Sequence, residues 1–425
     1  MTVYPFCIVA LIALGCGSDA ARQETVLRTT SWADPSEAAI DALVLREFER
    51  RHPGVRVIAE PITNQAEYRE KVLTSIAAGA PPDVFLLDGI DVPAIVGQGV
   101  VLDLSRFAPR VGVSLDAFYP SVLQMFARGE RVYAFPKGFS PIVIFYNRRL
   151  FDRARIPHPA DGWTHDEFLR AARSLTLDTD RDGEVDQWGY ALDRRFFAWQ
   201  PWVWSGGGDI LSPDGSRASD FLNSPATDSV ISFLTSLPTS QGVAPRPNAF
   251  RAVSGSEVRL FYSGRVAMLT SGHWLIPQLR RYLDSDRLEV GVVSIPSVGQ
   301  GKQRTVIFAS GYAVPANTPH RKLAVELAAF MAGSYAQKVR LERGLELASI
   351  RHVQEEFAMH DPYGLEDDFA RQVPFGSPPW GTRIERFREI EAQMFDVLDR
   401  VLIGGERVHA VTTDVARRID GILTR

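Results

Sequence analysis

Pro81-Pro82-Asp83-Val84-Phe85-Leu86-Leu87-Asp88 is the stretch that decides the fold. Two prolines halt the preceding helix, and four apolar residues then run without a polar interruption. A strand exposed on one face would alternate; a continuous apolar run is the pattern of a parallel strand covered on both faces. Such a strand needs helical crossovers on either side, and the sequence before it supplies them. Thr25-Val26-Leu27-Arg28-Thr29-Thr30 reads as a first strand leading to Trp32. A helix follows from about Pro35, with Ile40, Leu43, Val44 and Phe48 on one face. His52-Pro53-Gly54 ends it, Val55-Arg56-Val57-Ile58 reads as a second strand, and Asn64 caps a helix bearing Tyr68, Val72 and Ile76. Strands alternating with helices define an α/β layered lobe.

The remaining chain is too long to join one such core, and 425 residues suit two lobes. A second series begins near Tyr146. Thr164 and Glu167 form a capping box that opens a helix carrying Phe168, Ala172 and Leu175. Pro319 opens another, with Leu323, Leu327, Phe330 and Met331 on its face. Two amphipathic helices close the chain at three-four spacing. Phe387, Ile390, Met394, Val397 and Val401 mark the first, and Val408, Val411, Val415, Ile419 and Ile422 mark the second.

The first 24 residues differ in kind. Phe6 to Leu14 is apolar and uncharged, too short to span a bilayer and of the length of a signal-peptide core. It ends at Gly15-Cys16, which resembles a bacterial lipobox, although Ala13 stands where Leu is preferred and Met1 to Pro5 carry no Lys or Arg. The expectation is a signal over residues 1–15, lipidation of Cys16, and a polar spacer over 16–24, placing the mature chain outside the cytoplasm on a membrane anchor. The only other cysteine, Cys7, lies inside the signal, so the body offers no thiol for catalysis, a disulfide or a zinc–thiolate site.

Composition and motif searches narrow the function. Apolar residues make up 45% and charged residues 23%, with a net charge of −4 spread along the chain, which gives nucleic acid no basic run to bind. No Gly-x-Ser-x-Gly, His-Glu-x-x-His or phosphate-loop pattern occurs, and the eight histidines include no i, i+4 pair. One loop resembles the first half of a calcium site: Asp178, Asp180, Asp182 and Asp186 surround Gly183. Position twelve is Gly189 instead of a bidentate Glu, so the alternatives are a structural calcium completed by a distant carboxylate and an acidic solvated turn.

Five segments stand in a fixed order: Ala78–Val84, Tyr133–Ser140 running into Ile144–Asn147, Trp163-Thr164 with Glu167-Phe168, Trp204–Asp209, and Gly264–Met268 followed by Gly272-His273-Trp274. Together they resemble the family 1 extracellular solute-binding proteins, the carbohydrate-binding receptors of ABC importers. The resemblance implies a two-lobed periplasmic-binding-protein fold of type II kind, a ligand cleft between the lobes, and several hinge crossovers. The boundaries it implies are 25–139 plus 309–348 for the N-lobe and 140–308 plus 349–425 for the C-lobe. It also implies a monomer that delivers a sugar, oligosaccharide or polyol to membrane permease subunits, with no required cofactor and no catalysis.

A hydroxyl-rich solute calls for stacked aromatics beside carboxylates, amides and hydroxyls. The candidates are Trp32 and Asp34 after the first strand, and Asp88 after the third, where a carboxylate either binds hydroxyls or caps the next helix. Ser140 stands in the crossover where maltose receptors have Glu. Trp199 and Trp202, with Trp204, form an aromatic cluster of which at least one member should face the cleft. Trp274 occupies the family's ring-stacking position. Gly311 and Tyr312 lie at a second crossing, and Trp380 with Arg383 resembles a C-terminal aromatic closing over the sugar. Two rival readings remain: an exported carbohydrate hydrolase using paired carboxylates, and a sensor or adhesion module on the same fold.

Overall fold

A computed structural model of the protein describes residues 24–247, 257–298, 302–357, 361 and 363–425. The expected signal segment and Cys16 lie outside the described residues. Twelve strands follow in chain order: β1 Thr25–Trp32, β2 Val55–Ile62, β3 Val84–Asp88, β4 Ala127–Arg128, β5 Arg131–Val132, β6 Phe135–Pro141, β7 Val143–Asn147, β8 Met268–Ser271, β9 Val290–Val293, β10 Thr305–Ala313, β11 Leu347–Ala348 and β12 Gly376–Ser377.

The Asp83–Leu87 run is the strand its composition predicts. Val84 to Leu87 are all buried, and β3 pairs in parallel with β1, which pairs in parallel with β2. The helices Pro35–Arg51 and Gln65–Ala77 make the two crossovers. Their starts are set by side chains freed for capping: Asp34 accepts from Ser36 and Glu37, and Asn64 accepts from Glu67. The rest of this sheet arrives much later. β10 lies between β6 and β3, antiparallel to both, giving the order β11-β6-β10-β3-β1-β2, with β12 alongside β10.

The second sheet has three antiparallel strands, β8-β7-β9. Only Ile142 separates β6 from β7, so the chain passes from one sheet to the other in a single step. Alternation along β7 then divides two apolar cores. Val143 and Phe145 join the core built on Leu27, Phe48, Phe85 and Leu327. Ile144 and Tyr146 join the core built on Phe168, Trp202, Val230, Met394 and Val415. The last two helices, Phe387–Leu402 and Val408–Leu423, belong to this second core and bury the faces their spacing predicts.

The expected N-lobe boundary at 348 falls short of the packing. Val353 and Phe357, on the helix Arg351–Phe357, still pack with Phe118 and Leu341 on the first lobe. Among the described residues no helix is long and apolar enough to cross a membrane.

Candidate functional site

The crossover strand β10 is the floor of the site. Seven of its nine residues are buried, and the two left half-exposed, Phe308 and Ser310, alternate onto one face. Phe308 pairs with Ser140 and Ser310 pairs with Asp88, so this face joins the end of β3 in one lobe to the β6–β7 crossing into the other.

Over the second-lobe end stands an aromatic shelf. Trp274 is half-buried, with Phe197 at 5.8 Å and Phe308 at 6.4 Å between ring centroids, both edge to face. The ring folds back over Gly272, where a Cβ would lie 2.4 Å from it, so only glycine fits that position. Ser140 fixes the shelf's backbone: its hydroxyl accepts from the His273 amide at 2.7 Å and donates to the Pro141 carbonyl at 3.0 Å. Phe197 and Phe308 were not singled out in the sequence, where no motif marks either of them.

At the first-lobe end Trp32 meets Tyr68 edge to face at 5.3 Å. It lines a small recess with Gln65, Arg69, Asp88 and Asp91. Asp88 is heavily engaged: one carboxylate oxygen caps Ile90, and the other accepts from Gln65 at 2.9 Å and Arg388 at 3.3 Å. Asp88 thus caps the next turn, and its second oxygen is engaged by Gln65 and Arg388 at the recess. Burial pushes its carboxyl up to about 6, with Arg388 opposing the shift and Asp91 adding to it.

Asp34 spends one carboxylate oxygen on the helix cap, and the reciprocal bond of the capping box comes from Glu37. Glu37 is pushed up to about 7 by burial, with Lys137 opposing and Asp34 adding. Lys137 in turn pairs with Glu346 at 3.1 Å, in near-complete burial. The Glu37 shift comes from burial and from groups distant in sequence such as Lys137, which the sequence did not show.

The raised Glu37 has a measurable consequence. Its contribution to stability is present below the ordinary glutamate range and is lost as pH rises through about 7. Glu37→Gln keeps the capping geometry and removes the charge. The variant should therefore be more stable than the parent by about 2 kcal/mol at pH 8 and indistinguishable from it near pH 4, measured by urea unfolding at both pH values.

Five expected ligand contacts are instead interior residues. Trp199 and Trp202 are fully buried in the second core, on the helix Phe196–Ser205, where Trp202 packs against Phe168, Tyr190 and Phe233. Tyr312 is fully buried, and its hydroxyl accepts from Arg340 at 2.7 Å, within a network where Arg340 also binds Asp41 at 2.8 Å. Gly311 sits at the β10 register shift, where a Cβ would lie 2.9 Å from the Phe135 carbonyl. Its role is close backbone approach. Trp380 is 5% exposed, and its indole donates to Asp209 at 2.7 Å. The Trp204 indole donates to that same oxygen at 2.9 Å, so Asp209 ties together two parts of the second lobe. Arg383 is exposed and stacks on Trp380 at 4.5 Å rather than facing the crevice.

The acidic loop folds on itself. Ligand atoms of Asp178, Asp180 and Asp186 converge to within 4.8 Å, while Asp182 lies outside the group and accepts from Glu184. Asp178 accepts from the amides of Arg181 and Gly183, and Asp186 from the Thr179 amide and hydroxyl.

Comparison with known proteins bears on the family and the fold. The family model for bacterial extracellular solute-binding proteins covers residues 32–338. A galactooligosaccharide-binding protein of Bacillus subtilis is 22% identical over 87% of this chain and 84% of its own. An ABC substrate-binding protein of Listeria monocytogenes, solved with cycloalternan, superposes with a TM-score of 0.84 at 22% identity, covering 94% of this chain and 99% of its own. A Mycobacterium tuberculosis protein solved with glycerophosphocholine gives 0.79 at 18% identity over 93% and 98%.

Proposed function

Because the chain belongs to the family of bacterial extracellular solute-binding proteins, we propose that it captures a carbohydrate-like solute between its lobes for an ABC importer. The observation that carries this reading is the half-exposed Trp274 shelf, flanked by Phe197 and Phe308. Aromatic faces stack on the apolar faces of a sugar ring, while carboxylates and hydroxyls take its hydroxyl groups. Relatives bearing names such as galactooligosaccharide-binding protein support that class.

Neutral sugars fit the site better than phosphate esters. Lys137 is committed to Glu346, and Arg388 to Asp88, Asp91 and Glu391. An anionic ligand would have to compete with buried carboxylates for those cations. Contact from both lobes is available only in the closed arrangement, so binding energy would shift the lobes toward closure.

In this reading the protein works as a monomer, exported and held to the membrane by lipid at Cys16, and passes its solute to permease subunits. Transport needs no cofactor, and the 178–186 loop holds at most a structural calcium.

A thermal-shift screen over sugars, oligosaccharides, polyols and sugar phosphates tests the proposal. A ligand at one hundred times its dissociation constant should add about 2.7 kcal/mol of stability. Neutral saccharides are expected to raise the melting temperature. A panel in which none does, or in which only the phosphate esters do, overturns the assignment.

A further inference from the structure

Directly beneath the Trp274 shelf lies a buried imidazole–carboxylate pair that solute binding does not require. His273 is fully buried, and its Nε2 lies 2.8 Å from Oε1 of Glu366, itself 3% exposed. Among the described residues, Nδ1 of His273 and Oε2 of Glu366 make no hydrogen bond of good geometry, although the Leu345 backbone also favours the ring's proton. The Nε2–Oε1 bond is thus the main polar contact of both side chains, and losing either partner would leave the other poorly satisfied in the interior. The ring also packs on Phe369 at 4.5 Å, and Phe369 packs in turn on Phe145 of β7 at 5.7 Å.

The chain position of His273 gives this pair leverage. Its amide binds Ser140 on β6. Its ring is held by Glu366 on the helix Glu366–Ala370, which follows the long excursion after β11. The next residue is Trp274. Gly272 before it gives the backbone no side chain of its own, and the Trp274 ring lies over that glycine. The direction of the Trp274 ring is therefore fixed by the residue between them, which is pinned at its amide and at its ring to two separate segments.

We propose that His273, through its bond to Glu366, is the positioning residue that holds the Trp274 ring in its stacking orientation, so that the proton on His273 controls how firmly the shelf is set. This rests on the reading of Trp274 as the solute shelf. The groups that face His273 are Glu366 on its own short helix, Glu346 before β11, and Lys137 on β6 through its pair with Glu346. Burial by itself would lower the imidazole's proton affinity, but the Glu366 and Glu346 carboxylates more than offset it, and the net shift is upward. The Glu366 bond therefore favours the protonated ring. It weakens as pH rises through the His273 titration, when the charge on the ring is lost.

The test uses the full-length protein without any ligand. His273 is titrated by imidazole NMR. Exposure of Trp274 is read over the same pH span as the difference in acrylamide quenching between the parent and Trp274→Phe. The Trp274 quenching constant should rise about twofold as His273 deprotonates. His273→Gln, which keeps a donor for Glu366 and cannot titrate, should hold quenching at the low-pH level throughout. His273→Ala should show the high level at every pH. Glu366→Gln, an isosteric change, should move the step to lower pH with the histidine. A parent whose Trp274 quenching does not follow the His273 titration overturns the proposal, as does the same step persisting in His273→Gln. Since no solute enters this measurement, a failed sugar screen would overturn the functional reading and leave this result intact.

Discussion

Trp274→Ala should weaken solute binding roughly 100-fold, about 3 kcal/mol, with little change in the stability of the unliganded protein. The argument is one of exposure. Trp274 leaves part of its ring uncovered, with Phe197 and Phe308 set edge to face against it. Removing it takes away a stacking face that a ligand would desolvate and leaves few interior contacts unmade. Trp380 is the informative contrast. Its indole is bound to Asp209 and its ring is 5% exposed, so Trp380→Phe should lower stability while solute affinity stays within about twofold. Isothermal titration of the best solute from the screen, beside urea unfolding, reads both quantities. Equal affinity losses in the two variants would show that the shelf is misassigned.

Arg388→Met should cost about 3–5 kcal/mol of stability at pH 8 and much less near pH 5. Arg388 lies on the helix Phe387–Leu402 of the second lobe, and its guanidinium reaches the first. It bonds both oxygens of Asp91 at 2.8 and 2.6 Å, Asp88 at 3.3 Å and Glu391 at 2.7 Å, while Arg69 supports Asp91 at 3.2 Å. Arg388 is the cation shared by all three carboxylates, with Arg69 reaching Asp91 as well. Without Arg388, the repulsion is largest when all are ionised and falls as Asp88, already shifted to about 6, takes up its proton. Apolar contacts beside the cluster also join the lobes, since Ile90 packs in the second core with Trp380 and Phe387. The variant should therefore open more than it unfolds, with a larger radius of gyration in solution scattering at pH 8 than at pH 5. A radius independent of pH, together with parental stability, would remove the cluster from any role in closure.

Much of the scaffold was legible because its signals are local. The proline-led apolar run, the Asp34 and Asn64 caps, the Thr164–Glu167 box and the three-four faces of the last two helices each depend on neighbours within one or two turns. The site was legible only in outline. Trp274 and Trp380 are alike in composition and family position, and what separates them is Asp209, distant in sequence and placed by folding beside two indoles. Tyr312 was misread for a similar reason: its partner Arg340 arrives from a helix further along the chain. The shifted carboxyls of Glu37 and Asp88 were beyond reach because burial and the opposing cations come from separate segments.

The placement of β10 between β3 and β6 also governs how the molecule can come into being. The edge of β3 that Ser310 occupies must stay open while about half of the polypeptide is still being made. Neither sheet-building region before it can seal its interior alone, so a ribosome-bound or partly threaded chain has no finished unit to lock in place prematurely. Such late completion makes acquisition of the native state slow.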